Sequence, residues 1–262
     1  FWSTTRRTTC GEPDCNGGYS FINKPPTKSK ISYLGTWKKY SQTFKKLGYT
    51  SIKRYPTVAK WREDTWFTQA SIYAFQPFVV SGEVKPPANP LVMSQPSLRF
   101  NDVDNVGITG RHYSTHFHLG QHAFKPKDEY EPEKYLSDII TWLTKGVKLP
   151  LKEIQFHEDQ WGGGGNLGTS LEYFSRGLEL GNQVYMKYKI TPTGYKDLSI
   201  NVLDMGSGQE RYPWLTSGKP INAELIMPSV VRYLYKQSGK RPDVKLWNRF
   251  VPLSGNLNVD EV

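Results

Sequence analysis

The stretch NPLVMSQPSLRFNDVDNVGITGRHYSTHF, from Asn89 to Phe117, decides the fold. Two extended, largely apolar runs lie on either side of a polar segment rich in Asp, Asn and Gly, which is the composition of a turn between antiparallel strands. Arg99 and Arg111 flank this turn. A pair of arginines so placed suits a phosphate or a carboxylate, although an ordinary surface turn would have the same composition.

The segments around this hairpin predict an α+β fold with a largely antiparallel sheet flanked by helices. Apolar residues at three- and four-residue steps predict helices within residues 31–49, 131–146 and 222–239. Strands are predicted from the extended runs TVAKWRE and DTWFTQASI (57–72), KEIQFHE (152–158), NQVYMKYKI (182–190) and DLSINVLDM (197–205). Because strands and helices do not alternate, a parallel βαβ arrangement is not expected.

The charge of the chain points to a phosphate-rich partner. The 262 residues carry a formal net charge of +10, and a basic surface attracts nucleotides and nucleic acids, although it can also serve solubility alone. Lys38, Lys39, Lys45 and Lys46 lie on the polar face of the first predicted helix, either as a solvated face or as phosphate contacts. No apolar run approaches the ~18 residues that span a bilayer, and the first residues lack a signal-peptide pattern. We therefore expect a soluble, cytoplasmic protein without a membrane partner.

Four of the five histidines lie between Gly110 and Phe124. They are His112, His116, His118 and His122. Their spacing could serve zinc or iron, but no cysteine or carboxylate cluster accompanies them, so we expect a role other than metal binding. On a strand, His116 and His118 share a face that His112 can join, while His122 follows a turn predicted at Gly120.

Two glycine-rich segments are candidates for ligand contact. WGGGGNLG (161–168) has neither the phosphate-loop nor the dinucleotide spacing, and it predicts a sharp turn or a close backbone approach. DMGSGQER (204–211) places a carboxylate at the end of an apolar strand, followed by alternate glycines and an arginine. A ligand could lie against Gly206 and Gly208, with Asp204 and Arg211 at its ends.

These segments resemble the alanyl-tRNA synthetases, a class II family, and the archaeal type in particular. The hairpin at 89–117 resembles the family's motif 2, and VLDMGSGQER (202–211) resembles its D-x-G-x-G-x-E-R motif 3. The resemblance continues in WREDTWFTQASIYAFQP (61–77), HEDQWGGGGNLGTSLEY (157–173), GLELGNQVYMKY (177–188) and RRTTCGEPDCNGGYSFI (6–22). It is collinear over almost the whole chain and implies the class II synthetase catalytic core.

The resemblance implies an ATP-dependent ligase that forms alanyl-adenylate and transfers alanine to the acceptor end of tRNA(Ala), with Mg²⁺ bridging the phosphates. Arg99 and Arg211 match the catalytic arginines of the two motifs. The residues implied for ATP binding are Arg99, Arg111, Phe117, Gly206, Gly208 and Arg211. Those implied for alanine binding are Ala70, Ile72, Trp161, Asn182, Val184 and Asp204, with Asp204 pairing with the substrate ammonium group.

The chain departs from the family pattern in motif 2. The family has a glutamate after the R-H pair, whereas this chain has His116, Phe117 and His118. Adenine recognition at this position is therefore in question, although Phe117 could stack on a base. Met205 and Gln209 also replace commoner residues of motif 3.

The resemblance also implies the domain organisation. Residues 1–28 match a cysteine-bearing N-terminal extension and residues 29–262 the aminoacylation domain, without the editing and C-terminal domains. Cys10 and Cys15 would form half of a zinc knuckle, whose second cysteine pair is absent from this sequence. A minimal enzyme, a truncated form and a diverged paralogue all fit. The alternatives are a synthetase relative that aminoacylates another acceptor, and a non-catalytic relative that binds RNA or a protein.

Overall fold

The structure is a computed structural model that describes residues 1–100 and 115–256, except for the side chains of residues 115 and 116. One eight-stranded sheet forms its centre. The strands are β1 (Trp2–Ser3), β2 (Thr50–Ser51), β3 (Leu91–Leu98), β4 (Thr115–Lys125), β5 (Gln155–Gly163), β6 (Asn166–Ser175), β7 (Leu178–Thr191) and β8 (Gly194–Gly208). They lie in the order β1-β5-β6-β7-β8-β4-β3-β2, and all neighbours are antiparallel except β2 and β3. The predicted α+β fold with a largely antiparallel sheet is confirmed.

Helices cover the sheet and extend beyond it. They are α1 (Pro13–Asn16), α2 (Tyr33–Lys46), α3 (Pro132–Thr141), α4 (Arg211–Ser217), α5 (Ala223–Ile226), α6 (Pro228–Ser238) and α7 (Val244–Ser254). Short 3₁₀ turns span Ser71–Ala74, Lys127–Glu129 and Leu151–Glu153. A π-helical turn, Trp142–Gly146, continues α3. The predicted helix at 31–49 is confirmed as α2, which begins where the Ser32 hydroxyl accepts a hydrogen bond from the Gly35 amide.

Two predictions of secondary structure were wrong. Residues 57–72 do not form strands, but a single bridge between Val58 and Phe67 and the 3₁₀ turn at Ser71–Ala74. Backbone groups here are satisfied within the segment, because the Ala59 amide donates to the Trp66 carbonyl at 2.9 Å and the Thr68 amide to the Thr57 carbonyl at 2.8 Å. The helix predicted at 222–239 is divided into α5 and α6, since Pro228 has no N–H with which to continue a helix.

Each face of the sheet packs against its own apolar cluster. On one face, α2 and the π-helical turn bury aromatic side chains such as Tyr40, Phe44 and Trp142. On the other face, Ile72 of the 3₁₀ turn packs with Val184 and with other strand residues whose side chains point to that face. This second face carries the cavity described below. The first cluster packs against the opposite side of the same sheet.

The N-terminal residues belong to the packed structure. Strand β1 pairs with β5 at the edge of the sheet, and Tyr19 and Phe21 contact the Trp214 ring at 5.2 and 5.1 Å between centroids. The domain boundary at residue 28 stays a prediction. Within the described part of the chain, no helix is long and apolar enough to cross a membrane.

Candidate active site

A cavity of about 620 Å³ opens on the second face of the sheet, where the central strands meet the 3₁₀ turn at Ser71–Ala74. All six residues predicted for the alanine pocket line it: Ala70, Ile72, Trp161, Asn182, Val184 and Asp204. Strand register explains the convergence, because Val184 lies opposite Asp204 on β7 and β8, and Asn182 lies opposite Gly206. Directly opposed residues on antiparallel strands project to the same face.

Asp204 is buried at the base of this cavity. Burial raises the pKa of its carboxyl group to about 7, against the opposing effect of Arg99. Among the described residues, no donor satisfies Asp204 Oδ1. The nearest imidazole nitrogen, His122 Nδ1, lies 3.5 Å away, but burial lowers the pKa of His122 to about 3. His122 is therefore neutral, and the buried carboxylate is left for a cationic ligand.

Two arginines line the same cavity. Arg99 follows β3 and is held by a 2.8 Å hydrogen bond from its Nε to the carbonyl of Gln69. Burial, together with the neighbouring Arg211, lowers the pKa of Arg99, although a guanidinium stays charged near neutral pH. Arg211 begins α4 and is oriented by Glu179, whose carboxylate and carbonyl oxygens both lie 3.0 Å from its Nη1. The cavity thus has cationic groups suited to a phosphorylated ligand.

Carboxyl groups surround these arginines. Burial raises the pKa of Glu172 to about 7, helped by the negative charge of Glu179. Burial likewise raises the pKa of Glu210 to about 7, while Arg211 and Arg99 act to lower it. Because these carboxyl groups and arginines are close together and removed from water, a charged ligand in the cavity would change the protonation of the carboxyl groups.

Gly206 and Gly208 line the cavity as predicted, and neighbouring side chains fill the space beside them. A Cβ at Gly206 would lie 2.3 Å from His118 Cε1, and one at Gly208 would lie 2.3 Å from Glu210 Oε1. A side chain at position 206 would meet the buried His118 ring, whereas at position 208 it would meet the end of a glutamate side chain, which can move more easily. The glycines at 164 and 165 form the two-residue turn between β5 and β6, with φ of 56° and 78°.

A family model described as tRNA synthetases class II (A) matches residues 37–248 of this chain. The chain belongs to the class II tRNA synthetases. It is 47% identical over 265 residues to alanine–tRNA ligase of Methanocella arvoryzae, a match that covers 100% of this chain and 30% of that protein. With alanine–tRNA ligase of Thermoplasma acidophilum the identity is 41% over 249 residues, covering 91% and 28% of the two chains. These matches confirm the expected alanyl type.

This synthetase chain spans about 30% of the length of the curated relatives that it matches. A solved structure of pyrrolysyl-tRNA synthetase from Desulfitobacterium hafniense aligns with a TM-score of 0.49 and 10% identity, over 76% of this chain and 74% of that chain.

The synthetase places two of its histidines around one serine. Ser71 Oγ lies 2.9 Å from His122 Nε2 and 3.2 Å from His118 Nδ1. The Ser71 amide also donates to His118 Nδ1 at 3.2 Å, which leaves the proton of a neutral His118 on Nε2. The turn predicted at Gly120 was wrong, because β4 runs through it to Lys125 and so places both rings on one face. His112 and the side chain of His116 lie outside the described residues.

The residues predicted for the adenine end are less fully described. Phe117 is not among the lining residues of the cavity. The Arg54 guanidinium lies 4.5 Å from the centroid of its ring, and the Tyr33 ring lies 6.4 Å away. Arg111 lies outside the described residues.

Cys10 and Cys15 are free thiols close to each other at the start of the chain. Burial, followed by a hydrogen bond to Cys15, raises the pKa of the Cys10 thiol. Glu12 and His157 form a 2.5 Å contact beside them. The described residues contain no group of three or more His, Cys, Asp or Glu side chains arranged to hold a metal ion.

Sequence reasoning missed an imidazole and two of the carboxylates that line the cavity, namely His118, Glu172 and Glu179. Glu172 could have been found, because it pairs with Asn182 across β6 and β7. Glu179 could not, since strict alternation along β7 places it on the opposite face from Asn182. A β-bulge at Leu180, where Gly181 pairs with Tyr173 but Glu179 with Phe174, reverses that parity.

Proposed function

We propose that this chain is the aminoacylation region of an alanine–tRNA ligase, which forms alanyl-adenylate from alanine and ATP and transfers alanine to the acceptor end of tRNA(Ala). One observation carries the proposal: Asp204, Trp161 and the two arginines Arg99 and Arg211 line a single cavity. The cavity therefore pairs a site for an ammonium group with sites for a carboxylate and phosphates. We place this reaction in the cytoplasm.

The amino-acid end would bind alanine through Asp204 and exclude larger side chains. A charge-assisted hydrogen bond between a buried carboxylate and an ammonium group contributes roughly 1.5–3 kcal/mol. The indole of Trp161 and the side chains of Ile72 and Val184 would surround the methyl group, with Asn182 and the small Ala70 beside them. Discrimination against glycine would be limited to about 1–3 kcal/mol, because the substrates differ by one methyl group.

The phosphate end would bind ATP between the arginines. In the proposed step, an alanine carboxylate oxygen attacks the α-phosphorus, the bond to the bridging oxygen breaks, and pyrophosphate leaves. Arg99 would hold both the carboxylate and the α-phosphate, which brings two anions together and stabilises the developing charge. Arg211 would bind the nucleotide from the other end, next to Gly206 and Gly208.

Magnesium fits the oxygen ligands of this end. Mg²⁺ prefers carboxylates and usually binds through one or two of them plus substrate phosphates. Glu172 and Glu179 both line the cavity, and the charge of Glu179 acts on the pKa of Glu172, which indicates their proximity. When bound, the ion would neutralise the negative charge of the phosphates. Glu179 also orients Arg211, so it lies next to both cationic groups.

Adenine would bind near Phe117, with Arg111 as a further contact. Arg54 covers one face of the Phe117 ring, so a base would stack on the other face. Zinc fits the N-terminal cysteines less well. Thiolates are suitable donors, but Cys10 and Cys15 supply only two, and a structural zinc site normally has four ligands. We therefore treat zinc here as a partial site, which metal analysis of the purified protein would test.

The test is alanine-dependent exchange of pyrophosphate into ATP. We expect exchange with alanine, weak exchange with glycine, and loss of exchange after Asp204→Ala. Asp197→Ala, which removes an exposed carboxylate of β8 outside the cavity, is the matched control. Exchange that is absent from the unmodified chain, or unaffected by Asp204→Ala, would refute the proposal. Exchange without charging of tRNA would favour another acceptor, and absence of ATP binding would favour a non-catalytic relative.

A further inference from the structure

Four lysines surround a cleft of about 320 Å³ outside the active-site cavity. Lys39 and Lys46 come from α2, Lys145 comes from the π-helical turn, and Lys148 follows it. Among the described residues that line this lysine cleft, none is a carboxylate. Lys46, Lys145 and Lys148 are exposed and Lys39 is half-buried, so their ammonium groups can reach a ligand from solvent.

Local structure brings these lysines together. Lys39 and Lys46 are seven residues apart and so lie on one face of α2, while Tyr40 and Phe44 bury the opposite side in the core. The π-helical turn closes on the Trp142 ring, and a Cβ at Gly146 would lie 2.2 Å from that ring. Lys148 then adopts the left-handed conformation with φ of 65°, which is uncommon for a lysine.

The surrounding sequence makes the charge one-sided. Residues 15–62 contain eleven Lys and Arg residues and no Asp or Glu, and residues 139–152 contain three lysines and no carboxylate. Isolated lysines on a helix are most often a solvated face. Here two segments without negative charge meet at one cleft, so the positive potential of each adds to that of the other.

We propose that the lysine cleft binds the phosphodiester backbone of RNA. This inference rests on the proposed function, and it assigns to the tRNA partner a contact surface away from the catalytic cavity. Lysine ammonium groups neutralise backbone phosphates without reading sequence. The same cleft on a second copy of this chain does not fit as the occupant, because its lysines would oppose those of the first.

The C-terminal half of α2, from Lys39 to Lys46, lines the cleft, whereas the helix begins near the strand that carries cavity residues. The first residue of the helix, Tyr33, accepts a 2.9 Å hydrogen bond from Gln209 through its carbonyl oxygen, at the end of β8. The helix has 14 residues, so its last turn lies roughly 20 Å further on, at 1.5 Å per residue. RNA bound at the cleft would contact the C-terminal half of this helix, and changes at Lys39 and Lys145 should leave alanine activation intact.

The experiment compares tRNA binding by the unmodified chain, by Lys39→Glu/Lys145→Glu and by Lys187→Glu/Lys189→Glu. The last is the matched control, with the same change in net charge at two exposed lysines on β7 outside the cleft. Affinity for a labelled tRNA transcript is measured by fluorescence anisotropy over a series of salt concentrations. Pyrophosphate exchange without tRNA is measured on all three proteins.

We expect the cleft variant to reduce the slope of log K against log salt by about 2, because each lost phosphate contact removes about 0.9. At 0.1 M salt, each lost contact should weaken binding about eightfold. Exchange should stay the same in all three proteins. Slopes and affinities of the cleft variant equal to those of the control would overturn the proposal. Absence of exchange in the unmodified chain would refute the proposed function alone, since RNA binding is measured separately.

Discussion

Binding of alanine should release a proton from Asp204. Burial raises the pKa of this carboxyl from 3.8 to about 7 in the ligand-free chain, and at 1.36 kcal/mol per pKa unit this shift corresponds to roughly 4 kcal/mol against the ionised form. An ammonium group bound next to Asp204 favours the carboxylate and lowers its pKa again. Alanine binding and ionisation of Asp204 are therefore linked.

The expected size of the effect follows from the pKa. At pH 6 about 0.9 of the Asp204 carboxyls are protonated and at pH 8 about 0.1, so binding should release about 0.9 proton at pH 6 and about 0.1 at pH 8. The apparent affinity for alanine should be about tenfold weaker at pH 6 than at pH 8. Isothermal titration calorimetry in buffers of different ionisation enthalpy measures both quantities.

The matched control is Glu172→Gln, which removes another carboxyl of the same cavity whose pKa is raised to about 7. Proton release should persist in this variant, because Asp204 is retained. Asp204→Asn should weaken binding and abolish the release. Proton release below about 0.2 at pH 6, or an affinity that does not change between pH 6 and pH 8, would show that Asp204 is already ionised in the empty cavity.

Three further results are expected. Gly206→Ala should lower the free energy of unfolding by about 1–3 kcal/mol in urea denaturation, because its Cβ would lie 2.3 Å from His118. Gly162→Ala is the control and should lower it much less, because the nearest atom would be 3.7 Å away. Equal losses in the two variants would contradict the packing argument. Ser71→Ala should cost about 1–3 kcal/mol by thermal denaturation, since the buried His122 Nε2 loses its hydroxyl partner; an unchanged melting temperature would count against this. Raising the pH from 5 to 8 should lower stability, because Asp204, Glu172 and Glu210, whose pKa values are raised to about 7, bind more protons in the folded than in the unfolded chain. The lowered pKa of His122 acts in the opposite direction, but it is one group against three. A urea midpoint that rises over this range would contradict the expected sign.

The sequence was sufficient to predict part of the set of residues that line the cavity. Asp204 and Arg211 lie in one short motif, and Arg99 ends an apolar strand next to a turn, so strand geometry and the family resemblance agree on their positions. Trp161 and Asn182 come from other strands, and their convergence follows from the antiparallel order of the sheet. The family resemblance assigned these residues to the site, and alternation along regular strands agrees with that assignment.

Irregular backbone explains what could not be predicted. The run at 57–72 has strand composition, yet its backbone forms a single bridge, and the buried Thr68 hydroxyl donates to the carbonyl of Pro96 on β3 at 2.9 Å. The pairing of His118 and His122 around Ser71 also depends on the 3₁₀ turn at Ser71–Ala74, which has no periodic pattern in the sequence. Such contacts join residues far apart in the chain through side chains, so local composition does not report them.

Because of the bulge at Leu180, the number of residues in β7 decides whether Glu179 adds its negative charge to the cavity. With the extra residue, Glu179 faces the cavity and orients Arg211; without it, the same glutamate would point to the apolar side of the sheet. Deletion of the bulge residue in β7 would thus remove one negative charge from the cavity and leave Arg211 without its orienting carboxylate. Both Glu179 and Arg211 would still be present in the sequence. Members of this family that differ by one residue here should differ in how their cavities bind cations, whatever their overall identity.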